Sequence, residues 1–193
     1  MYRNSQYSVV LYRRFLMRAF AFGAMVALTL VMASSAASAV ELVPSVGLTR
    51  TVDGDEAKGQ VGLALRGDIV PNLLQTEIGA SYRKEILSND TELHMWPITA
   101  SLWLTPIRSF YAGGGVGWYQ TSYNYPSALG IANDTTQEFG LHLGGGMKVP
   151  LARAVALDLG GRYVMLQDQE THLVPSSFNP SFWSLSIGLA LKL

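Results

Sequence analysis

The 193-residue chain has no cysteine, and only 15% of its residues are charged. Without cysteine it can form neither a disulfide framework nor a thiolate metal site. Basic and acidic residues are equal in number, at 14 each, and there are three histidines. This balance excludes the basic surface that nucleic-acid binding requires. We therefore expect no nucleic-acid partner and no cofactor.

Long hydrophobic runs are also missing, apart from one near the N-terminus. Three arginines precede the uncharged segment AFAFGAMVALTLVM at 19–32, and the small residues ASSAASA end at Ala39. This order predicts a cleaved signal peptide over residues 1–39, with Met17 as an alternative start. The run of 14 residues falls short of the roughly 20 that a spanning helix needs. Removing residues 1–39 leaves ten basic against fourteen acidic residues, a net charge of −4 on the segment 40–193.

Residues 40–193 divide into eight runs of alternating apolar and polar residues, which predict eight β-strands in one domain. We place the strands at 42–52, 59–69, 73–84, 92–104, 109–119, 136–149, 154–166 and 182–193. The connections alternate between tight turns that contain proline and longer polar loops. Short turns at one end and long loops at the other are typical of an outer-membrane barrel.

The two faces of each predicted strand differ in polarity, as a barrel in a bilayer requires. One alternate set is apolar, for example Leu63 and Leu65 in the second strand or Leu102 and Leu104 in the fourth. The other set collects the charges and many glycines, so we expect it to face the lumen and to form a charge network. The charged members are Arg66, Asp68, Glu77, Arg83, Glu138, Lys148, Asp158, Arg162 and Lys192.

Five large aromatic residues share the outward parity and fall near the long-loop ends of their strands. Indole and phenol rings favour the boundary between hydrocarbon and headgroups. We therefore predict a membrane-interface girdle made by Tyr82, Trp96, Trp118, Tyr163 and Trp183.

The last thirteen residues, SFWSLSIGLALKL at 181–193, alternate up to the final residue. If this strand pairs with the first, no backbone edge is left open in lipid. The architecture predicted is an all-β, eight-stranded, antiparallel, up-and-down transmembrane β-barrel. Inside the fourth strand, Pro97 lacks a ladder donor, so we expect a local bulge there.

The segments FYAGGGVGWY at 110–119 and FGLHLGGGMKVPLARAVALDLGGRYVML at 139–166 resemble the small eight-stranded outer-membrane β-barrels of Gram-negative bacteria, the OmpA/OmpX-like family. The resemblance covers residues 40–193 and implies an outer-membrane location. It also implies a C-terminal assembly signal, which Ser186, Gly188, Leu191 and Leu193 match in spacing. The departure is Leu193, where phenylalanine is usual.

The glycine-rich runs do not fit a phosphate-binding loop, because no helix follows them. Instead they lie on the inward parity, where an eight-stranded barrel has little space. We expect these glycines to make room for Arg162, Lys148, Glu77 and their neighbours. They are Gly113, Gly115, Gly117, Gly140, Gly144, Gly146 and Gly160.

The sequence favours a non-enzymatic barrel. His94, His142 and His172 are candidate catalytic bases, but the His-x-Ser motif of the lipid A deacylases is missing. The first function that remains is a structural and surface-interaction protein acting through its external loops. A small pore or a conduit for hydrophobic solutes is the alternative, and a lipid-A-modifying enzyme is less favoured. A soluble lipocalin-like carrier would need the opposite parity.

Expected partners are membrane lipid, lipopolysaccharide, and the periplasmic chaperones and insertion machinery of barrel assembly. The expected state is a monomer in the outer membrane of a Gram-negative bacterium, exported by the cleaved signal peptide. These expectations follow from the resemblance and from the predicted signal peptide.

Overall fold

The structure is a computed structural model that describes residues 40–52, 56–86, 92–107, 109–124, 134–166 and 181–193. The predicted signal peptide, His172 and most of the long-loop residues lie outside the described residues. No helix in the described part is long and apolar enough to cross a membrane.

Eight antiparallel strands form a closed barrel in which each strand pairs with its neighbours in sequence and the last returns to the first. This confirms the predicted fold. The strands are Val40–Thr51 (β1), Lys58–Val70 (β2), Leu74–Ile86 (β3), Glu92–Ile107 (β4), Phe110–Asn124 (β5), Asp134–Ala152 (β6), Val155–Leu166 (β7) and Phe182–Lys192 (β8). The turns after β2, β4 and β6 are short, so one rim is the short-turn end and the other is the long-loop end.

β5 and β6 extend beyond their predicted limits at the long-loop end. The observed pairing continues to Tyr123 opposite Asp134. Past Tyr119 the residues are polar on both faces of the strand, so the alternation on which the prediction relied is lost. The backbone ladder between β5 and β6 therefore continues beyond the apolar band, although the side chains there no longer alternate in polarity.

The seam between β1 and β8 closes the barrel. Leu48 lies opposite Leu185, and Leu193 N donates to Val40 O at 2.9 Å at the short-turn end. The ladder skips Val43 and Pro44 and then resumes in the same register, because proline has no N–H to donate. Closure removes the open edge that would otherwise leave backbone groups unpaired in lipid.

The bulge predicted at Pro97 is wrong. Ala80 pairs with Ile98 and Arg83 with Met95, so the β3–β4 register is the same on both sides of the proline. Only the pairs next to Pro97 are missing from this ladder, while its pairing with Tyr119 of β5 is intact. The missing donor therefore removes a hydrogen bond without inserting an extra residue.

Register shifts occur instead at the three short turns, between residues 68 and 70, 104 and 107, and 150 and 152. Pro106 and Pro150 lie at two of them. In the first turn, Leu73 N donates to Val70 O at 3.0 Å and Asn72 has a φ of 59°. Asparagine tolerates this left-handed conformation, which a type II turn requires at its third position, with proline common at its second.

The outer wall is apolar, and many of the side chains that face the lumen are buried. Leu102 is 52% exposed on the outer wall, whereas the inward-facing Glu77 is fully buried. Exposed leucine, isoleucine or valine side chains lie on the wall at β1, β2, β4, β5, β6 and β8, and the outward aliphatic side chains of β3 and β7 are partly exposed. A surface in contact with hydrocarbon requires such an apolar wall.

This wall predicts a depth-dependent cost for a charge. Leu102→Arg, in the apolar band, should lower the free energy of unfolding by about 2–4 kcal/mol, and Gln137→Arg, beyond the girdle residue Trp118 and its partner Phe139, by about 1 kcal/mol or less. Urea titrations of refolded protein in lipid vesicles measure both values. Equal costs at the two outward positions would contradict the membrane placement of the wall.

Candidate functional site

The centre of the lumen contains a layer of four charged residues, here called the central ion-pair layer: Arg66, Glu77 and Asp158, which are buried, and Arg162, which is partly buried. Arg66 Nε donates to Glu77 Oε2 at 2.5 Å, and Arg162 Nη2 donates to Glu77 Oε1 at 2.5 Å. Arg66 Nη1 donates to Asp158 Oδ2, and Nη2 lies 3.3 Å from Asp158 Oδ1. Both carboxylates therefore bind the same guanidinium, and the layer spans the lumen from β2 and β3 to β7.

Two aromatic rings hold this layer from the side. Tyr111 Oη donates to Asp158 Oδ1 at 2.9 Å, and the Arg66 guanidinium lies 4.7 Å from the centre of the Tyr111 ring. Arg162 lies 5.2 Å from the Trp103 ring, which contacts Tyr111 edge-on at 5.3 Å. Cation–π contacts strengthen when desolvated, so the rings compensate part of the cost of burying Arg66 and of partly burying Arg162.

A histidine and a serine lie next to Trp103. Ser101 Oγ and His142 Nε2 are 2.9 Å apart, and both residues are buried. Within the described part of the chain His142 Nδ1 has no partner, so no acid orients the ring as in a catalytic triad. The contact is a buried hydrogen bond with the histidine only 1% exposed. His94 lies on the outer wall, apart from this pair.

A second ionic group lies towards the short-turn end. Lys148 Nζ donates to Glu41 Oε2 at 2.5 Å and to Gln75 Oε1 at 3.2 Å, and Gln75 Nε2 donates to Asp68 Oδ1 at 2.6 Å. Glu41 was not predicted, because the predicted first strand began one residue later. Extending the alternation back by one residue would have placed it on the inward parity. Lys192 is exposed at this rim.

Towards the long-loop end, the lumen contains a buried apolar cluster beside polar side chains such as Thr49 and Ser184, which the predicted charge network did not include. The buried cluster here consists of Met95, Tyr119, Val164, Leu166 and Phe182.

Arg83 lies beside this apolar cluster rather than in the central ion-pair layer. Its guanidinium is 4.5 Å from the centre of the Phe182 ring, and Nη1 donates to Thr49 Oγ1 at 3.4 Å. Glu138, opposite Tyr119 in the β5–β6 ladder, is also outside the central layer. The described contacts join Arg66, Glu77, Asp158 and Arg162 in one group, and Asp68 and Lys148 in another.

Two chambers remain inside the barrel. The upper chamber, of about 80 Å³, is bordered by Glu77, Arg162, His142 and Phe182 among others. The lower chamber, of about 500 Å³, is bordered by residues that include Lys148 and lies towards the short-turn end. No described residue lines both chambers, because the central ion-pair layer lies between them.

The inward glycines make room mainly for tyrosine, not for Lys148 or Glu77 as predicted. A Cβ added at Gly117 would lie 2.7 Å from the Tyr119 ring, and one at Gly160 would lie 3.0 Å from Tyr111 Oη. Of the charged residues that were expected to need this space, Arg162 does, since it lies 3.0 Å from a Cβ added at Gly144. The glycines thus admit the rings that support the ion pairs.

The predicted girdle residues lie on the outer wall, where four of them form two contacting pairs. The ring centres of Tyr82 and Trp96 are 4.4 Å apart, and those of Tyr163 and Trp183 are 4.5 Å apart. Trp118 lies opposite Phe139 of β6. Their depth in a bilayer stays a prediction.

The predicted assembly signal lies along the seam strand β8. Ser186 faces the lumen, and Leu191 and Leu193 lie on the outward parity. A Cβ added at Gly188 would lie only 2.7 Å from Pro44 O, so a side chain there would disturb the seam. Recognition by an assembly machinery stays a prediction.

No protein-family model and no curated protein matches the chain. Solved structures do match it. Neisserial surface protein A superposes with a TM-score of 0.57 at 18% identity, covering 81% of this chain and 97% of that one. Ail of Yersinia pestis gives 0.53 at 12% identity, with 81% and 97% covered, and OprG from Pseudomonas aeruginosa gives 0.51 at 14%, with 81% and 96% covered. The chain therefore has the fold of the small eight-stranded outer-membrane β-barrels.

The central ion-pair layer predicts a large cost for removing its shared cation. Arg66→Met should lower the free energy of unfolding by about 3–5 kcal/mol, because it leaves Glu77 and Asp158 buried without that partner. Urea titration in vesicles measures this. Lys58→Met, which breaks a surface contact of 2.6 Å to the exposed Glu56, is the control and should change little. If Arg66→Met and Lys58→Met lowered the free energy of unfolding by similar amounts, the stabilising role assigned to the layer would be contradicted.

The packing of Tyr119 against glycine predicts a steric effect. Gly117→Ala should lower stability by about 1–3 kcal/mol, because the new methyl group would overlap the ring. Gly59→Ala is the matched control, since nothing lies within 4 Å of a Cβ there. The effect of Gly117→Ala should shrink in a Tyr119→Ala background. If it persists there, the ring is not its cause.

Proposed function

We propose that the protein is a non-enzymatic integral outer-membrane protein that contributes to envelope integrity and surface contact. The observation that carries the proposal is the division of the lumen by the central ion-pair layer into two chambers with no shared lining among the described residues. A barrel whose interior is blocked in this way acts through its surfaces rather than as a conduit.

The energetics of the layer argue against a pore. Opening a path past Glu77 would separate it from Arg66 or Arg162, and a buried carboxylate that loses a partner costs about 3–5 kcal/mol. The apolar cluster adds a second obstruction towards the long-loop end. The alternative function, a small pore or a conduit for hydrophobic solutes, would require both obstructions to move.

The case against an enzyme rests on access. Ser101 and His142 are the one hydroxyl–imidazole contact found inside the described lumen, and both side chains are buried. A lipid substrate on the outer wall would have to cross the strand backbone to reach them. We therefore propose no lipid-A-modifying activity and no cofactor.

Surface contact is proposed for the long-loop end. β5 ends at Asn124 and β6 begins at Asp134, so both strands extend past the girdle residue Trp118 and its ladder partner Phe139. We infer that these strand ends lie above the headgroups, within reach of lipopolysaccharide or other envelope components. The proposed state is a monomer exported by a cleaved signal peptide and inserted by the assembly machinery, with periplasmic chaperones as transient partners.

Planar-bilayer recording tests the proposal. The refolded wild-type protein should show no large, stable conductance, because ion pairs and aromatic rings fill the centre of the lumen. A large porin prepared in the same way shows that insertion is detected, and boiled protein controls for leakage. If the wild type shows stepwise openings, and Arg162→Glu changes the ion selectivity of those openings, the small pore would be the better-supported function.

A further inference from the structure

The outer wall has a group of hydrogen-bonding residues just beyond the girdle at the long-loop end. Lys84 on β3 lies opposite His94 on β4, and His94 lies opposite Ser122 on β5. Gln120 lies opposite the girdle residue Trp96. These four residues, here called the rim patch, lie on the same parity as the apolar wall, with Lys84 exposed.

Girdle aromatics hold the rim patch in place. Tyr82 Oη lies 2.7 Å from His94 Nδ1, and the two rings stack with their centres 6.0 Å apart. Trp96 packs on the other side of Tyr82 at 4.4 Å. When the phenol donates to Nδ1, the ring proton resides on Nε2, so neutral His94 is itself a donor there. The rim patch thus presents an ammonium group, an imidazole, an amide and a hydroxyl.

The charge of the outer wall is asymmetric. Among outward strand positions whose side chains the structure describes, the charged residues are Lys84 and Arg50, and both lie at the long-loop end. Arg50 lies opposite the girdle residue Trp183 in the β1–β8 ladder. Each cation therefore lies near a residue of the predicted girdle, which would place it at the level of the lipid headgroups.

We propose that the rim patch binds phosphate groups of the phosphorylated glycolipid in the outer leaflet. This inference rests on the proposed outer-membrane orientation, with long loops outside. An ammonium group and neutral donors at adjacent ladder positions of β3, β4 and β5 match the charge and the acceptor oxygens of a phosphate, and the Ser122 hydroxyl also lies 3.3 Å from Thr135 Oγ1. Basic residues near a membrane surface attract anionic headgroups, and the girdle sets the rim patch at headgroup depth. The acyl chains of the same lipid would lie along the apolar wall below it.

Lipid binding in phosphatidylcholine nanodiscs tests the site. The folded protein is titrated with bis-phosphorylated lipid A and with dephosphorylated lipid A, and retained lipid is counted by native mass spectrometry. Lys84→Gln should weaken binding of the phosphorylated form about fivefold, and Lys84→Gln/His94→Gln further, with no change for the dephosphorylated form. Lys84 is exposed, so the single variant is expected to fold even where the double variant does not.

Arg153→Gln is the matched control, because Arg153 is an exposed cation at the short-turn end. It should leave binding within about twofold of wild type, since it lies near the other leaflet. The proposal would be overturned if Arg153→Gln weakened binding of phosphorylated lipid A as much as Lys84→Gln does, or if Lys84→Gln did not weaken it. The proposal would also be overturned if free pyrophosphate, at a concentration equal to that of the lipid, displaced all of the bound phosphorylated lipid A. The site would then bind soluble anions as well as lipid. Folding of each variant is checked by comparing the gel migration of boiled and unboiled protein. The planar-bilayer conductance tests the proposed function separately from this lipid-binding site.

Discussion

A strand edge in hydrocarbon has no water to satisfy its backbone N–H and C=O groups, so the ring of eight strands must close. The β1–β8 seam meets this constraint even though Pro44 removes a donor inside it. Gly188 allows the close approach of the two strands at that point, and Leu193 N completes the pairing with Val40 O. Every other feature of the molecule follows from the small diameter that closure imposes.

An eight-stranded ring has an interior that side chains can fill. Here it is filled in three layers with different chemistry. Lys148 and Glu41 lie towards the short-turn end, the central ion-pair layer lies in the middle, and an apolar cluster lies towards the long-loop end. The inward glycines let Tyr111 and Tyr119 cross the lumen, and these rings reduce the space in which a charged group could remain hydrated.

The strands, the closure and the lipid-facing wall could be predicted because alternation is a local signal. Arg66 and Glu77 were both predicted to face the lumen, and they are ladder partners across the first short turn. The contact of Arg66 with Asp158 could not be predicted, since it depends on the stagger of strands far apart in sequence. Alternation places Met95 and Phe182 on the inward parity, but it does not show that apolar residues of separate strands meet in one cluster.

The central claim is that the ion-pair layer separates two chambers of the lumen. Because the chain has no cysteine, single cysteines can report access from either end. Ala156→Cys lies in the lower chamber and Ser81→Cys in the upper one. A charged, membrane-impermeant thiol reagent added at the short-turn side of oriented vesicles should label Ala156→Cys and leave Ser81→Cys unmodified. Comparable labelling of both positions from that side would contradict the account.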